Sequence, residues 1–498
     1  MRHLLLIFTF FTAFTQSAHS QEYKRQGLEN ITKESAMAPV NFLADDLLEG
    51  RETGTRGAEL AASYIISWFE SIGVEPLDDE YLQEVPLLKY KAGENQHFEI
   101  QIADEKSIAF TNNVDFFVHP LKNNESINAE IIYVDYGIDL NATFNDFDKK
   151  NTNNKIIIRK SGYPKHDTTS HVFQHFKSKS TKQIVAEKNK MAQNHGALAI
   201  LEFSEEDYLA SLYANSENTV SKMPSFYDTK LDLYNNNEYE LPCINITNNT
   251  AQKILSLIEK KSINKRNNYP KAKISLTTNK QAISSPNVIG KIEGTNKDEF
   301  IVIGAHYDHL GMRNGQIWNG ADDNASGVSA ILNIAKAIQS TGQKPDKTLI
   351  FAAWTAEEKG LNGSRHFVEA FEKTSKIQTY LNFDMIGRNA DWDHDGNQCM
   401  MLYTAAYPEL EKNDSINNNA YDINLEITYS RVEKPYAGSD NASFAKKGIP
   451  IFWFHTWGHE DYHQPTDHAD KINIEKMMKI IRLSYLDIWD LAYDKTDK

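Results

Sequence analysis

The chain has 498 residues, which is more than usually fold around a single hydrophobic core, so two domains are expected. Hydrophobic residues make up 40% and charged residues 24% of the sequence, which excludes a largely disordered or fibrous protein. Acidic residues outnumber basic ones by 68 to 53, for a formal net charge of −15. Such a chain lacks the basic field that neutralises a phosphate backbone, so no nucleic-acid partner is expected.

The first twenty residues have the pattern of a secretory signal peptide. Arg2 and His3 precede an apolar run at 4–14, and a small-x-small site places cleavage after Ser20. The run is shorter than the ~20 residues that span a bilayer, no cysteine follows it, and no second long apolar stretch occurs. We therefore expect no membrane anchor, and an exported protein that is either secreted or periplasmic.

The chain contains two cysteines, Cys243 and Cys399, and the sequence leaves open whether they form a disulfide. There is no CxxC pair and no thiolate cluster. Any metal must therefore be bound by imidazole and carboxylate groups.

The elements predicted in the first half of the chain change character near residue 90. Residues 29–85 are predicted to be mainly helical, because apolar side chains recur at spacings of three and four on either side of a polar connection, GRETGTRG, at 50–57. From 90 to 280 short β-type runs are separated by stretches rich in Asn, Lys and Ser. The elements predicted there are strands at 131–134, 155–158 and 197–201 and a helix at 182–194.

From residue 287 onward, apolar strands alternate with helices. The elements predicted, in order, are a strand at 300–305, a helix at 325–339, a strand at 348–354, a helix at 361–371, and strands at 379–383 and 449–454. This alternation is typical of an α/β fold with a mostly parallel central sheet covered by helices on both faces. In such a fold, the functional site lies beyond the carboxyl ends of the strands.

Residue types that bind metals follow these strands. The sequence reads HYDH at 306–309, TAEE at 355–358 and Asp384 after three of them, and GADDNASG at 320–327 precedes a helix. A loop at 455–467, after the last strand, adds histidines and carboxylates. Carboxylates brought together at one sheet edge repel one another unless a cation gathers them. The pattern therefore indicates a metal centre.

The ligand types indicate the metal and its chemistry. Nitrogen and oxygen ligands without sulfur suit zinc, cobalt or manganese. Two imidazoles and three carboxylates exceed what one tetrahedral zinc requires, so two ions sharing a carboxylate is the simplest interpretation. Such a pair, ~3.5–4 Å apart, ionises a water near neutrality and stabilises the oxyanion formed by its attack. Glu357 and Glu358 are consecutive and point in different directions, so one can bind metal while the other acts as a base. The sequence thus predicts hydrolysis.

The motifs HYDHLG, GADDNASG, TAEEKGLNGS, NFDMIG and YHQPTD resemble, in order and spacing, those of the co-catalytic zinc exopeptidases. These form family twenty-eight of the metallopeptidases, the group of bacterial leucyl aminopeptidase, aminopeptidase Y and glutamate carboxypeptidase. The likeness covers 287 to about 491 and the helical start. It implies a zinc peptidase catalytic domain built from 21–126 and 280–498.

The resemblance also implies a role for each matching residue. The implied ligands of two Zn²⁺ per chain are His306 and Asp384 for one ion, Glu358 and His463 for the other, and Asp323 as the bridge between them. Glu357 is implied to be the general base, and Asp308 the carboxylate that orients His306. A cis peptide bond is implied between Asp323 and Asn324. Asp322, His309, His455 and His459 have no implied ligand role; Asp322 is interpreted as a hydrogen-bond acceptor within its loop.

Residues 127–279 resemble a protease-associated domain inserted in the catalytic domain. The resemblance rests on KIIIRK at 155–160, on the helix at 182–194 and on LPCINI at 241–246. It implies a small β-rich domain near the cleft mouth that carries no catalytic residue. The block is long for such a domain, so a further insertion is expected around 207–236.

We therefore predict a secreted exopeptidase and favour an aminopeptidase, which releases N-terminal amino acids with a zinc-bridged water and a glutamate base. Its expected partners are peptides with a free N-terminus; Co²⁺ or Mn²⁺ are possible substitutes for zinc, and the oligomeric state stays open. A carboxypeptidase or dipeptidase of the same fold is the alternative, with Arg313, Arg388 and Arg431 as candidates for binding a substrate carboxylate. The one-zinc glutaminyl-cyclase branch and an inactive binding protein are disfavoured, because no ligand or base is missing.

Overall fold

A computed structural model describes most of the chain. The residues described are 21–101, 107–179, 181–205, 229–234, 239–263 and 269–493. The predicted signal peptide at 1–20 lies outside these residues, as does most of the insertion expected around 207–236. Across the described ranges, no helix is both long enough and apolar enough to cross a membrane.

The secondary structure is mixed. The strands are β1 Glu75–Pro76, β2 Leu82–Ala92, β3 His97–Gln101, β4 Ile108–Phe110, β5 Phe116–Val118, β6 Glu125–Tyr133, β7 Ile156–Lys160, β8 Ala199–Phe203, β9 Thr229–Leu233, β10 Cys243–Ile246, β11 Lys271–Leu276, β12 Thr278–Ile292, β13 Asn296–His306, β14 Gly311–Arg313, β15 Gln316–Trp318, β16 Lys347–Trp354, β17 Ile377–Phe383, β18 Gln398–Thr404, β19 Glu426–Val432 and β20 Ile451–His455. The helices are α1 Lys33–Leu43, α2 Arg56–Ser71, α3 His171–Phe176, α4 Thr181–Asn194, α5 Asn248–Ile263, α6 Gly327–Ser340, α7 Asn362–Ala370, α8 Glu409–Ala420, α9 Asn441–Ala445 and α10 Ile474–Tyr493. Short helical turns cover Asp46–Arg51 and Ala321–Ser326.

The chain divides into two compact units. The first contains the described parts of Met1–Leu87, Leu231–Tyr234 and Ala282–Lys498, and the second those of Leu88–Lys230 and Asn235–Gln281. The first unit is built on a sheet with the order β19-β18-β20-β17-β13-β16-β12-β2-β9, with β1 beside β12. Strands β20, β17, β13 and β16 run parallel, whereas β12 and β18 pair antiparallel with β16 and β20. The predicted α/β class is confirmed, with antiparallel strands beside the parallel centre.

Both faces of the central strand β13 are covered. Ile301 and Ile303 pack in one hydrophobic cluster, and Phe300 and Val302 in another. Helices α1, α6 and α10 pack against one another at the first cluster, and α7 and α9 contribute to the second. Fully burying one such side chain is worth ~1.5–3 kcal/mol, which accounts for strands that are apolar at consecutive positions.

The second unit has its own sheet, with the order β4-β3-β11-β6-β7-β8-β10-β5. Strands β6, β7, β8 and β10 are parallel. The unit begins at Leu88 rather than at the expected boundary of 127, because β3 pairs with β11 and β5 pairs with β10. Pairing between segments that lie so far apart along the chain leaves no local sequence signal.

Cys243 and Cys399 are both free thiols. Burial raises the pKa of the Cys243 thiol to about 12 and that of Cys399 further still. The disulfide that the sequence left open is therefore not formed.

A pair of buried carboxyl groups lies where α8 packs against α10. Asp414 accepts a hydrogen bond of 2.7 Å from the hydroxyl of Tyr429, and Asp487 accepts one of 2.9 Å from Asn417. Burial raises the pKa of Asp414 to about 6. Burial and the neighbouring Asp414 raise the pKa of Asp487 well above its usual range. The folded chain therefore holds protons here that the unfolded chain releases at lower pH.

Replacing Asp414 by asparagine should stabilise the protein at pH 8 and leave it nearly unchanged at pH 4. A carboxyl group whose pKa is raised on folding costs stability once the pH exceeds the unfolded-state pKa, and the cost grows until the folded-state pKa is passed. The gain in the free energy of unfolding should be ~2–3 kcal/mol larger at pH 8 than at pH 4. Denaturant unfolding at both pH values measures it, with the exposed Asp422→Asn as control; equal effects at both pH values would contradict the raised pKa.

Candidate metal centre

The residues predicted to bind metal meet at the carboxyl ends of the parallel strands of the first unit. His306 ends β13, Glu357–Glu358 follow β16, and Asp384 follows β17. His463 lies in the loop after β20, and Asp323 lies in the helical turn that precedes α6. Because the strands are parallel and adjacent, their ends place side chains from distant parts of the sequence at one sheet edge.

The five predicted ligands form two sets that share Asp323. His306 Nε2 lies 3.3 Å from Asp323 Oδ1 and 3.5 Å from Asp384 Oδ1. His463 Nε2 lies 3.0 Å from Asp323 Oδ2 and 3.4 Å from Glu358 Oε2. Ligands placed ~2.0–2.1 Å from a tetrahedral zinc ion are ~3.3 Å from one another. The donor atoms of each set are therefore close enough together to hold a metal ion.

Neighbouring carboxylates change the pKa of both predicted histidine ligands. Burial disfavours the charge on His306, but the carboxylates of Glu357 and Asp384 raise its pKa well above the usual value. Burial likewise disfavours the charge on His463, but Glu358 and Asp323 raise its pKa to about 10. Protons on these imidazoles therefore balance the carboxylates. Metal cations that replace those protons would bind with an affinity that rises with pH.

His309, for which the resemblance implied no ligand role, contacts the predicted ligand Glu358. Its Nδ1 lies 2.7 Å from Glu358 Oε1 and 3.9 Å from Asp323 Oδ2, so these three residues form a second arrangement that could hold a cation. His463 is nearer to Asp323, at 3.0 Å, and faces the other oxygen of Glu358. His463 thus stays the predicted ligand, and His309 contacts the Glu358 carboxylate from its other oxygen. The HYDH spacing gave no sign of this contact.

Asp308 makes different contacts from those expected. His306 Nδ1 lies 3.1 Å from the backbone carbonyl of Asp308 but 3.9 Å from its carboxylate. The carboxylate instead accepts hydrogen bonds from the backbone N–H of Glu357, at 3.1 Å, and from the hydroxyl of Thr53, at 2.9 Å. The carbonyl of Asp308 therefore orients His306, while its side chain holds the backbone of Glu357.

Hydrogen bonds to Asp467 hold the backbone of the turn that carries Asp323. The carboxylate of Asp467 accepts hydrogen bonds from the backbone N–H groups of Asp322, at 3.0 Å, and Asp323, at 3.2 Å. Asp322 accepts a hydrogen bond from the hydroxyl of Ser326, at 3.2 Å, so it serves as an acceptor within its loop. It also accepts from the backbone N–H of Gly387, at 2.6 Å, and its Oδ2 lies 3.1 Å from His459 Nε2. The peptide bond between Asp323 and Asn324 is cis, as the resemblance implied.

A cavity of about 150 Å³ opens beside the ligands. Besides Asp323, Glu357, Glu358, Asp384 and His463, it is lined by Met385, Gly438, Trp453, His455, Gly458 and Tyr462. A protein cavity of this volume holds a benzene-sized group, so it accommodates a single side chain. His455 Nδ1 lies 3.0 Å from the backbone carbonyl of Asp384, and its ring packs on Trp453 with 4.9 Å between centroids. No arginine or lysine of the described chain is among the lining residues.

Residues 287–485, which include all five predicted ligands and Glu357, match the family model described as Peptidase family M28. This part of the chain resembles the M28 peptidases. The resemblance inferred from the five motifs is thereby confirmed.

Curated relatives match this chain over part of their length. A leucine aminopeptidase 2 from Trichophyton equinum is 37% identical over 131 residues, which cover 25% of this chain and 25% of the relative. A probable glutamate carboxypeptidase from Arthroderma benhamiae is 29% identical over 227 residues, or 40% of this chain and 30% of the relative. The match thus spans a third or less of the length of either relative.

Solved structures share the fold over nearly the whole chain. An aminopeptidase from Aneurinibacillus sp. strain AM-1 has a TM-score of 0.60 at 20% identity, covering 94% of this chain and 96% of that one. An M28 peptidase precursor from Shewanella amazonensis SB2B has a TM-score of 0.54 at 18% identity, covering 96% and 98%. At these identities, the likeness establishes the fold.

Proposed function

We propose that this protein is an exported, metal-dependent aminopeptidase that removes N-terminal amino acids from peptides. The observation that carries the proposal is the pair of ligand sets sharing Asp323, with Glu357 beside them in a cavity for one side chain. A leucine aminopeptidase among the relatives that match part of this chain supports the same class of activity.

The donor set suits two zinc ions. His306 and Asp384 would hold one, Glu358 and His463 the other, and Asp323 both. Co²⁺ or Mn²⁺ prefer the same ligand types and would be functional substitutes. When bound, the metals supply Lewis-acid polarisation of the substrate carbonyl and ionisation of water near neutral pH.

Glu357 is proposed to be the general base. It lines the cavity, and its Oε2 lies 4.0 Å from His306 Nε2, farther than the carboxylates assigned as ligands. Burial raises its pKa well above the usual range, and Asp384 and Glu358 add to this effect. A carboxylate with a raised pKa is a stronger base, so Glu357 would take a proton from the attacking water and return it to the leaving amine.

The charges of the cavity favour a substrate amine over a substrate carboxylate. Its lining contains acidic residues and no arginine or lysine within the described structure. Of the arginines considered for carboxylate binding, Arg388 is paired with Asp461 at 2.7 Å. Arg431, on the edge strand β19, donates to the backbone carbonyl of Ala405. Arg313 lies in β14 and is not part of the lining. A free α-amino group is thus the better match for the cavity.

The second unit is proposed to be a protease-associated domain inserted in the M28 domain. It has its own sheet and its own hydrophobic core, as an inserted domain requires. All of the clusters suited to a metal lie in the first unit of the described chain. The second unit would therefore carry no catalytic residue.

Hydrolysis of one peptide in free and N-acetylated forms tests the proposed activity. Only the free form should be cleaved, because acetylation removes the positive charge of the α-amine and adds a group to the space that the amine would occupy. A strong chelator should abolish cleavage, and added zinc should restore it. Release of residues from the C-terminal end of both forms would favour the carboxypeptidase alternative. Absence of cleavage by zinc-loaded protein across a peptide library would contradict the proposal.

A further inference from the structure

The segment Gly50–Thr53 packs against the metal centre although it lies outside the stretch matched to the M28 family. It belongs to the polar connection GRETGTRG, which no predicted function explained. Arg51 is 0% exposed and Thr53 is 2% exposed. A fully buried guanidinium group is rare unless its donors are satisfied, so its contacts indicate why it is there.

Arg51 donates hydrogen bonds to backbone carbonyls from three places in the chain. Its Nε donates to Tyr307 at 2.8 Å, its Nη1 to Asn319 at 2.6 Å, and its Nη2 to Gly320 at 3.0 Å. Nη1 also donates to the carbonyl of Leu43. The planar fork of an arginine can serve several acceptors at once with fixed geometry, whereas a lysine ammonium cannot.

The carbonyls of Tyr307 and Gly320 flank two of the segments that carry predicted metal ligands. Tyr307 immediately follows His306, and Gly320 immediately precedes the turn that contains Asp323. Arg51 therefore fixes the distance between the segment of His306, a predicted ligand of one ion, and the segment of Asp323, the predicted ligand of both. Its charge also faces the acidic residues of the centre: burial lowers the pKa of Arg51 to about 10, and the charge of Asp323 opposes that effect. The guanidinium accordingly stays charged at neutral pH.

The backbone of Gly50 and Arg51 has positive φ angles and packs closely against neighbouring carbonyl groups. Gly50 has a φ of +69°, and a Cβ there would lie 2.4 Å from the carbonyl oxygen of Trp318 and 2.5 Å from that of Gly311. Arg51 itself has a φ of +50°, in the left-handed region that is uncommon for residues other than glycine. Strained conformations of this kind persist where the surrounding structure determines them, often at functional sites.

Thr53 reaches the proposed base through Asp308. Its hydroxyl donates to Asp308 Oδ2 at 2.9 Å, and Asp308 Oδ1 accepts the backbone N–H of Glu357 at 3.1 Å. The hydroxyl therefore fixes the orientation of the carboxylate that in turn fixes the start of the Glu357 side chain.

We propose that Gly50–Thr53 is a positioning element of the metal centre, in which Arg51 sets the spacing of the ligand segments and Thr53 holds the proposed base in place. The role of Thr53 rests on the proposed peptidase function. The role of Arg51 concerns metal binding and is independent of any substrate. Residues around metal ligands typically change metal affinity or activity by ~10–100-fold when they are altered.

The Thr53 arm compares Thr53→Val, Thr53→Ser and the control Thr55→Val in the full chain. Thr55 is a nearby threonine whose hydroxyl donates to the carbonyl of Glu52, so its replacement reports general disturbance of the connection. Thr53→Val should lower kcat ~10-fold or more with KM and zinc content unchanged, and Thr53→Ser should restore most of kcat. Equal kcat in Thr53→Val and Thr55→Val, or no rescue by serine, would overturn the role of Thr53.

The Arg51 arm compares Arg51→Met and Arg51→Lys with the exposed control Arg56→Met. Zinc alone is titrated in competition with a chromophoric chelator, and thermal unfolding of the metal-free proteins reports any general loss of stability. Arg51→Met should bind zinc ~10–100-fold more weakly than Arg56→Met, and Arg51→Lys should fall between them. Wild-type zinc affinity in Arg51→Lys would overturn the role of Arg51, even if Arg51→Met does not fold. If the wild type binds zinc but cleaves no peptide, the proposed function fails and this titration still decides the role of Arg51.

Discussion

The Glu357→Gln variant should retain zinc at the wild-type stoichiometry and lose ~10²–10⁴-fold in kcat, the usual contribution of a general base. Glutamine has nearly the shape of glutamate but cannot accept the proton of the attacking water. Zinc should stay because the two ligand sets, which meet at Asp323, do not include Glu357. Steady-state hydrolysis of a free peptide and elemental analysis of the same sample measure both quantities.

Two comparisons make this expectation specific to Glu357. Glu358→Gln changes the neighbouring residue in the same way but should lose zinc, since Glu358 lies 3.4 Å from His463 within a ligand set. Glu369→Gln changes an exposed glutamate on α7 and should alter neither quantity. Near-normal kcat in Glu357→Gln would rule out the assigned base, and loss of zinc there would place Glu357 among the ligands.

The parallel core of the fold was predictable because its strands are buried on both faces. Residues 300–305 and 349–354 are almost entirely apolar, and the structure pairs them as neighbouring parallel strands. The antiparallel strands β12 and β18 were not predicted, since a strand's direction depends on the connection that delivers it. The start of the second unit could not be predicted either. Its strand β3 pairs with β11, and most of the unit's sequence lies between these two strands.

The site shows the same division between local and distant signals. Side chains at the ends of parallel strands were predictable as a cluster, and the structure brings His306, Asp323 and Asp384 together. The residues behind them were not predictable in their detail. Asp308 was expected to orient His306, but only the hydrogen-bond geometry shows its carboxylate on the backbone of Glu357. Contacts between remote segments depend on the final packing, which spacing along the chain does not encode.

Removal of the shared ligand should distinguish two coupled metal sites from two separate ones. Asp323→Ala leaves each zinc site with one imidazole and one carboxylate, fewer protein ligands than zinc sites ordinarily have. The variant should therefore lose both ions, and its turnover should fall by more than the ~10²-fold typical of residues around the ligands. Elemental analysis after dialysis against a weak chelator measures the first quantity, and peptide hydrolysis the second.

Asp384→Ala is the matched comparison for Asp323→Ala, because it removes a carboxylate that faces one imidazole only. Asp384 Oδ1 lies 3.5 Å from His306, whereas His463, Glu358 and Asp323 together remain as a complete set. This variant should keep one zinc ion per chain. Since both substitutions delete one buried carboxylate from the same centre, a general electrostatic or folding effect would lower zinc content equally in the two. A difference of one ion between them follows only if Asp323 serves both sites, and equal losses would contradict the bridge.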